Sequence, residues 1–161
     1  IKIIVNMSKL QVYYDLNYTL IAIRSQIQDY QIAYFLNKSP FFAFKRMSKD
    51  ISFIINNTTI YFSTFYDYDN DLKRDSFLIQ NKSIYNSESI GYNELFFKKI
   101  ISNTAFLVPE LKQFDYFVKL AGVWKKNDLS KLKECLSRMP IIESETSINL
   151  NKIPSAKNLV I

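Results

Sequence analysis

A chain of 161 residues that is 48% hydrophobic and 22% charged can bury one core without disulfides or a metal, and is too apolar for disorder. No apolar run nears the roughly 20 residues of a membrane-spanning helix, and a single cysteine, Cys135, allows no internal bridge. The 21 basic residues exceed the 15 acidic ones, yet the enriched types are Lys, Asn, Ile, Phe and Tyr, those of A/T-rich codons. Codon bias alone accounts for such a balance without an anionic partner.

These features together read as a cytoplasmic protein. Met7-Ser8-Lys9 has the form of a natural start. Residues 1–6 are therefore expected to be an extension outside the domain, with 7–161 as a single unit.

Along the chain, Tyr18 to Arg24 is apolar on both faces, as a central strand is. Ser25 and Gln28 have capping-box spacing, and Ile27, Tyr30, Ala33 and Tyr34 recur at helical spacing up to Asn37-Lys38-Ser39-Pro40. Phe41 to Met47 and Ile51 to Ile55 are short β-type runs. Thr59 to Tyr66 alternates as one strand, and an acidic turn from Asp67 to Asp75 leads to another at Ser76 to Gln80. Asn81-Lys82-Ser83 reads as a further turn. Residues 92–103, with Leu95, Phe96 and Ile100, fit a short helix or a strand equally. Thr104 to Val108 and Phe114 to Ala121 are strands. Asn127 and Asp128 offer N-caps to a helix carrying Leu129, Leu132, Leu136 and Met139, and a half-solvated strand starts at Ile142.

The order predicts an α+β fold. A largely antiparallel sheet carries two main helices on one face, with β-α-β units at both ends of a central β meander. The last unit gives a parallel or split pair.

Much familiar chemistry is missing. Without histidine there is no imidazole base or ligand, and glycines only at 91 and 122 build no phosphate loop. No catalytic, cofactor or metal residues are assigned, and no cofactor is expected. Asp67, Asp69 and Asp71 copy the opening of a calcium loop, but Leu72 and Leu78 stand where Gly and a bidentate Glu belong, so a solvated hairpin tip is expected. Cys135 shares the Leu132 and Leu136 face and reads as a buried structural thiol. Glu110 and Asp115 form a conceivable acid pair. Nucleic-acid contacts would come from Lys45, Arg46, Lys49, Lys98 and Lys99, beside Phe41, Phe42, Phe44 and Phe96, although alternate aromatics in a strand face the core anyway. No DNA-binding motif is present.

Val108-Pro109-Glu110-Leu111-Lys112-Gln113-Phe114-Asp115-Tyr116 resembles the signature of the bacterial IPExxxVDY family, with Val108 for its Ile and Phe114 for its Val. The likeness extends to the Leu20 to Ile23 strand, the helix from Asp29 to Asn37 and the stretch from Asp115 to Ile161. It implies a bacterial origin and no assigned activity. Physically, Pro109 ends a strand and Glu110 is expected to lock the following turn through backbone N–H groups. Asp115 and Tyr116 then point to opposite faces. The alternative is a surface patch of Glu110 and Asp115 that docks a partner.

A non-catalytic accessory or protein-interaction module, with an unknown protein partner or as a homo-oligomer, is the first expectation. An RNA- or ribosome-associated factor is the second, and an enzyme using carboxylates or Tyr the third. No membrane partner is expected.

Overall fold

The computed structural model describes residues 2–6, 9–13, 16–89 and 99–161. The expected start at Met7-Ser8 and the ambiguous stretch through Leu95 and Phe96 lie outside these residues.

Twelve strands and two α-helices are described. Strands β1 (Lys2–Asn6) and β2 (Lys9–Tyr13) pair as a hairpin. Then come β3 (Thr19–Arg24), α1 (Asp29–Leu36), β4 (Lys45–Arg46), β5 (Ile51–Ile55), β6 (Thr58–Phe62), β7 (Thr64–Asp69) and β8 (Arg74–Gln80). Strands β9 (Lys82–Ser89), β10 (Lys99–Phe106) and β11 (Tyr116–Gly122), helix α2 (Lys126–Ser137) and β12 (Ser144–Ile148) follow. Short 3-10 turns at Pro109–Leu111, Leu150–Lys152 and Pro154–Leu159 complete the described chain.

The main sheet has the order β12-β3-β11-β8-β7-β4, and every neighbouring pair is antiparallel. Because β11 and β12 both run against β3, they are parallel to each other with β3 between them. The unit β11-α2-β12 is thus a split β-α-β, as the chain order predicts.

Both helices pack on one face. Ile32, Ala33 and Leu36 of α1 and Leu132 and Leu136 of α2 meet Ile21, Ile23, Leu78 and Val118 of the sheet. The other face is equally apolar. Leu20, Ala22, Ile79 and Phe117 are covered there by Ile60 and Phe62 of β6, by Leu107 and Val108, and by Leu159. Central strands apolar on both faces are the signature of a sheet buried between two layers.

Several elements differ from the pattern-based expectation. The run from Thr59 to Tyr66 is two strands, broken at Ser63, which is buried and donates its hydroxyl to Gln80 Oε1 at 3.0 Å. Before the break the chain pairs in the β5-β6 hairpin, and after it in the main sheet. The alternation continues in phase across the break, so periodicity cannot reveal it. That hairpin turns on Asn56 and Asn57, both at positive φ (48° and 62°), the conformation a two-residue type I′ loop demands.

Asn81-Lys82-Ser83 is not a turn: Asn81 alone interrupts two strands, and β9 starts at Lys82. The run from Phe41 to Met47 supplies only the two-residue β4, because Phe42 and Phe44 are drawn into the helix-side core, their rings stacked 4.6 Å apart. Helix α1 begins one turn later than a Ser25 cap would set it. Gln31 accepts the Gln28 N–H at 3.1 Å, while Ser25 is buried and bonds elsewhere. Helix α2 begins at Lys126 without a side-chain cap from Asn127 or Asp128, and the Asp128 carboxylate pairs instead with Arg74. Cys135 is half-buried rather than fully enclosed.

Candidate functional site

The segment from Val108 to Tyr116 is organised around Asn81, which is fully buried. Its side-chain amide donates to the carbonyls of Leu111 (3.0 Å) and Phe114 (2.9 Å), and its side-chain oxygen accepts the Val108 N–H at 2.9 Å. Its backbone adds bonds from its N–H to Asp115 O (2.8 Å) and from Leu107 N–H to its carbonyl (2.8 Å). One asparagine therefore satisfies the polar groups of a buried connection that has little ladder of its own. The turn residue Pro109 lacks the N–H that such a position leaves unused.

Three polar residues of the segment, Glu110, Asp115 and Tyr116, tie down other pieces of chain. Glu110 accepts the Ser155 N–H at 3.0 Å and so anchors the C-terminal 3-10 turn, rather than locking only its own turn. Asp115 accepts the Ser25 N–H at 2.9 Å, and Ser25 in turn donates its hydroxyl to Ile141 O at 2.6 Å. Tyr116 donates to the Ile27 carbonyl at 2.6 Å. Asp115 and Tyr116 thus grip both ends of the connection between β3 and α1, which sets where α1 starts. Burial pushes the Tyr116 hydroxyl well above its ordinary value, reinforced by the Asp29 and Asp115 carboxylates, so it remains a fixed donor at neutral pH.

Glu110 titrates in a direction that can be tested. Desolvation works to raise its pKa, but hydrogen bonds from its own backbone N–H and from the Ser155 hydroxyl and N–H outweigh this and hold it below the ordinary value. A folded-state pKa below the unfolded one contributes stability above the unfolded pKa, which is lost as pH falls through the folded value. Glu110→Gln is therefore expected to lower stability modestly at neutral pH and to converge on the parent at acid pH, once the folded-state carboxylate is protonated. Urea midpoints of both proteins at several pH values between those limits check this.

Asp115 and Tyr116 also floor a cleft of about 560 Å³ at the end of the sheet, walled by Gln28, Gln80, Lys82 and Ile84. Glu110 does not line it, so the conceivable acid pair is not assembled there. A second cleft of about 430 Å³ holds Tyr66, Asp75 and Lys119. Tyr66 donates to Asp75 Oδ1 at 2.8 Å, and burial, followed by the Asp75 carboxylate, pushes its hydroxyl up to about 12. Lys119 is buried, donates to Leu159 O at 2.8 Å and lies 4.7 Å from the Tyr18 ring centre. Tyr18 is itself pushed up to about 12 by burial. All three shifted tyrosines thus keep their protons near neutrality, and none supplies a phenolate base there.

The acidic run is tied to backbone N–H groups within its hairpin and before β4. Asp69 accepts the N–H groups of Asp71 and Leu72, and Asp67 accepts that of Ala43. Among the described residues no three His, Cys, Asp or Glu side chains gather as a cation site.

Of the nucleic-acid candidates, Lys45 and Lys49 are exposed. Arg46 is engaged by two carboxylates, Asp29 at 3.1 Å and Asp50 at 2.6 Å, and lies over the Phe65 ring. Lys98 and the side chain of Lys99 lie outside the described residues.

Periodicity places Tyr30 and Tyr34 with the core stripe of α1, but they are 64% and 59% exposed. The stripe is rotated onto Ile32, Ala33 and Leu36. Tyr30 and Tyr34, four residues apart, share the outer face of α1, and Lys38 is exposed in the turn just past its end. Phe35 beside them is 37% exposed, and the Lys38 ammonium sits 4.5 Å from the Tyr34 ring centre and 5.4 Å from that of Phe35.

The chain matches no family model, no curated protein and no solved structure. Among the described residues no helix is long and apolar enough to cross a membrane.

Proposed function

We propose that the chain is a non-catalytic protein-interaction module that docks an acidic, partly apolar segment of a partner protein on the outer face of α1. The exposure of Tyr30 and Tyr34 on one helix face carries this reading. Each offers a broad apolar ring and a polar tip at little entropic cost, the chemistry enriched in interface anchors. Lys38, exposed beside the Tyr34 ring, favours an acidic partner.

The segment resembling the IPExxxVDY signature fits as the frame of this surface. Asp115 and Tyr116 hold the connection that enters α1, so the aromatic face is presented by a fixed helix. Their bonds to backbone groups leave them an architectural task, and Glu110 has the same kind of task at the other end of the segment.

Among the described residues, an RNA-associated role draws support only from Lys45 and Lys49. Of its expected stacking residues, Phe42 and Phe44 lie in the core, Phe41 is partly buried against it and Phe96 lies outside the described residues, while Arg46 is already paired.

Affinity capture from the organism that encodes the chain, with and without ribonuclease, tests the proposal. The wild type is compared with Tyr30→Ser/Tyr34→Ser and with Lys45→Ala/Lys49→Ala. A stoichiometric protein that survives nuclease, falls about tenfold or more with the tyrosine pair and persists with the lysine pair is the expected result. Material lost on nuclease treatment, or a partner indifferent to Tyr30 and Tyr34, would contradict it.

A further inference from the structure

The two edges of the main sheet are unequal. At one end β4 is only two residues long, too short to template another strand. At the other, β12 runs five residues, Ser144 to Ile148, and among the described residues is paired on one side only, by β3. Its register with β3 is continuous over all five residues, so no bulge twists it away. It contains neither lysine nor proline, and Ser144, Thr146 and Ser147 are exposed. The usual devices that blunt an edge are missing from it, apart from Glu145.

We propose that two copies of the chain join β12 to β12, antiparallel, across a twofold axis through Thr146. The register follows from the faces and the charges. Ser144, Thr146 and Ile148 share the face of Ala22 and Leu20, while Glu145 and Ser147 share that of Ile23 and Ile21. A twofold axis normal to the sheet keeps like faces opposite, so it must pass through a residue and not between two.

Through Glu145, the axis would set that carboxylate against its own copy. Through Ser144, it would set Glu143 against Glu145 of the second copy. Like charges directly opposite are destabilising. Through Ser147 or Ile148, the strands would overlap by three residues or one. Through Thr146 all five residues overlap, Glu145 faces Ser147, Ser144 faces Ile148, and the two threonines form a cross-strand pair.

The contact is at the small end of interface sizes, so association in the micromolar range is expected. Sedimentation equilibrium of the full chain should show the weight-average mass rising from one chain toward two between about 1 and 200 µM. Thr146→Lys places two ammonium groups across the axis. It should hold the chain monomeric over this range, with circular dichroism unchanged because the site is exposed.

In a Cys135→Ser background, Thr146→Cys should oxidise to a disulfide-linked dimer. Ser144→Cys, which this register sets opposite Ile148, should not. A wild type monomeric throughout, a Thr146→Lys variant that dimerises as well as the parent, or equal cross-linking at the two cysteine positions would each overturn the proposal.

Discussion

Asn81→Ala is expected to destabilise the fold by about 3–5 kcal/mol, since it strands two carbonyls and one N–H in the interior. The carbonyls are those of Leu111 and Phe114, the N–H that of Val108, and all three meet a residue with no solvent exposure. Water cannot take over those bonds without opening the core between Leu107, Val108 and Leu111. Asn81→Asp separates chemistry from volume. It keeps the shape and the acceptor for Val108 but turns an oxygen toward two carbonyl oxygens, so it should be no better tolerated than Ala. Urea denaturation of the three proteins checks both statements. A loss below about 1 kcal/mol in either variant would mean the connection is held by something other than this side chain.

The second large effect lies at the opposite end of the sheet, where Arg74 is nearly buried. Its Nε donates to Val123 O at 2.8 Å, its guanidinium lies 4.4 Å from the Trp124 ring centre, and it pairs with Asp128 of α2. Gly122 lets the chain turn here at φ +84°, where a Cβ would run into the Lys73 carbonyl. The pair therefore pins α2 to the β7-β8 hairpin. Removing one partner from a buried pair leaves an uncompensated charge, a cost of about 3–5 kcal/mol. The Asp128 side chain is 28% exposed, so solvent screening brings Asp128→Ala down to about 2–3 kcal/mol. Replacing both members by apolar residues, Arg74→Met/Asp128→Leu, should recover most of that loss. A double variant as unstable as the sum of its singles would show that the two act independently.

Much of the architecture was legible because burial imposes a period. The two-sided apolar run at Leu20 to Ile23 reports a sheet covered on both faces, and Leu132 with Leu136 reports the buried side of α2. The breaks were not legible. Ser63 divides two strands without disturbing the alternation, since Ile60 and Phe62 before it face the same core that Ile79 and Phe117 build from the main sheet. Asn81 reads locally as a turn former, and its task depends on carbonyls some 30 residues away in sequence.

Tyrosine has a similar ambiguity. Its ring counts as apolar in any periodicity, so Tyr30 and Tyr34 join the stripe with Ala33 although the helix turns them outward. The Asn56-Asn57 pair between alternating strands was a usable hairpin signal. For Glu110, Asp115 and Tyr116 the residue types suggested bonding to backbone. The recipients, Ser155, Ser25 and Ile27, are set by tertiary structure alone.

The central claim is that the outer face of α1 binds a protein segment while the signature-like residues hold that helix in place. Amide and side-chain NMR of the labelled chain, titrated with the captured partner, tests it most directly. The account predicts that the largest shifts fall on Tyr30, Tyr34, Phe35 and Lys38 and that Tyr30→Ser/Tyr34→Ser abolishes them. Shifts centred on Lys45 and Lys49, or in the cleft over Asp115, with α1 unmoved would contradict it.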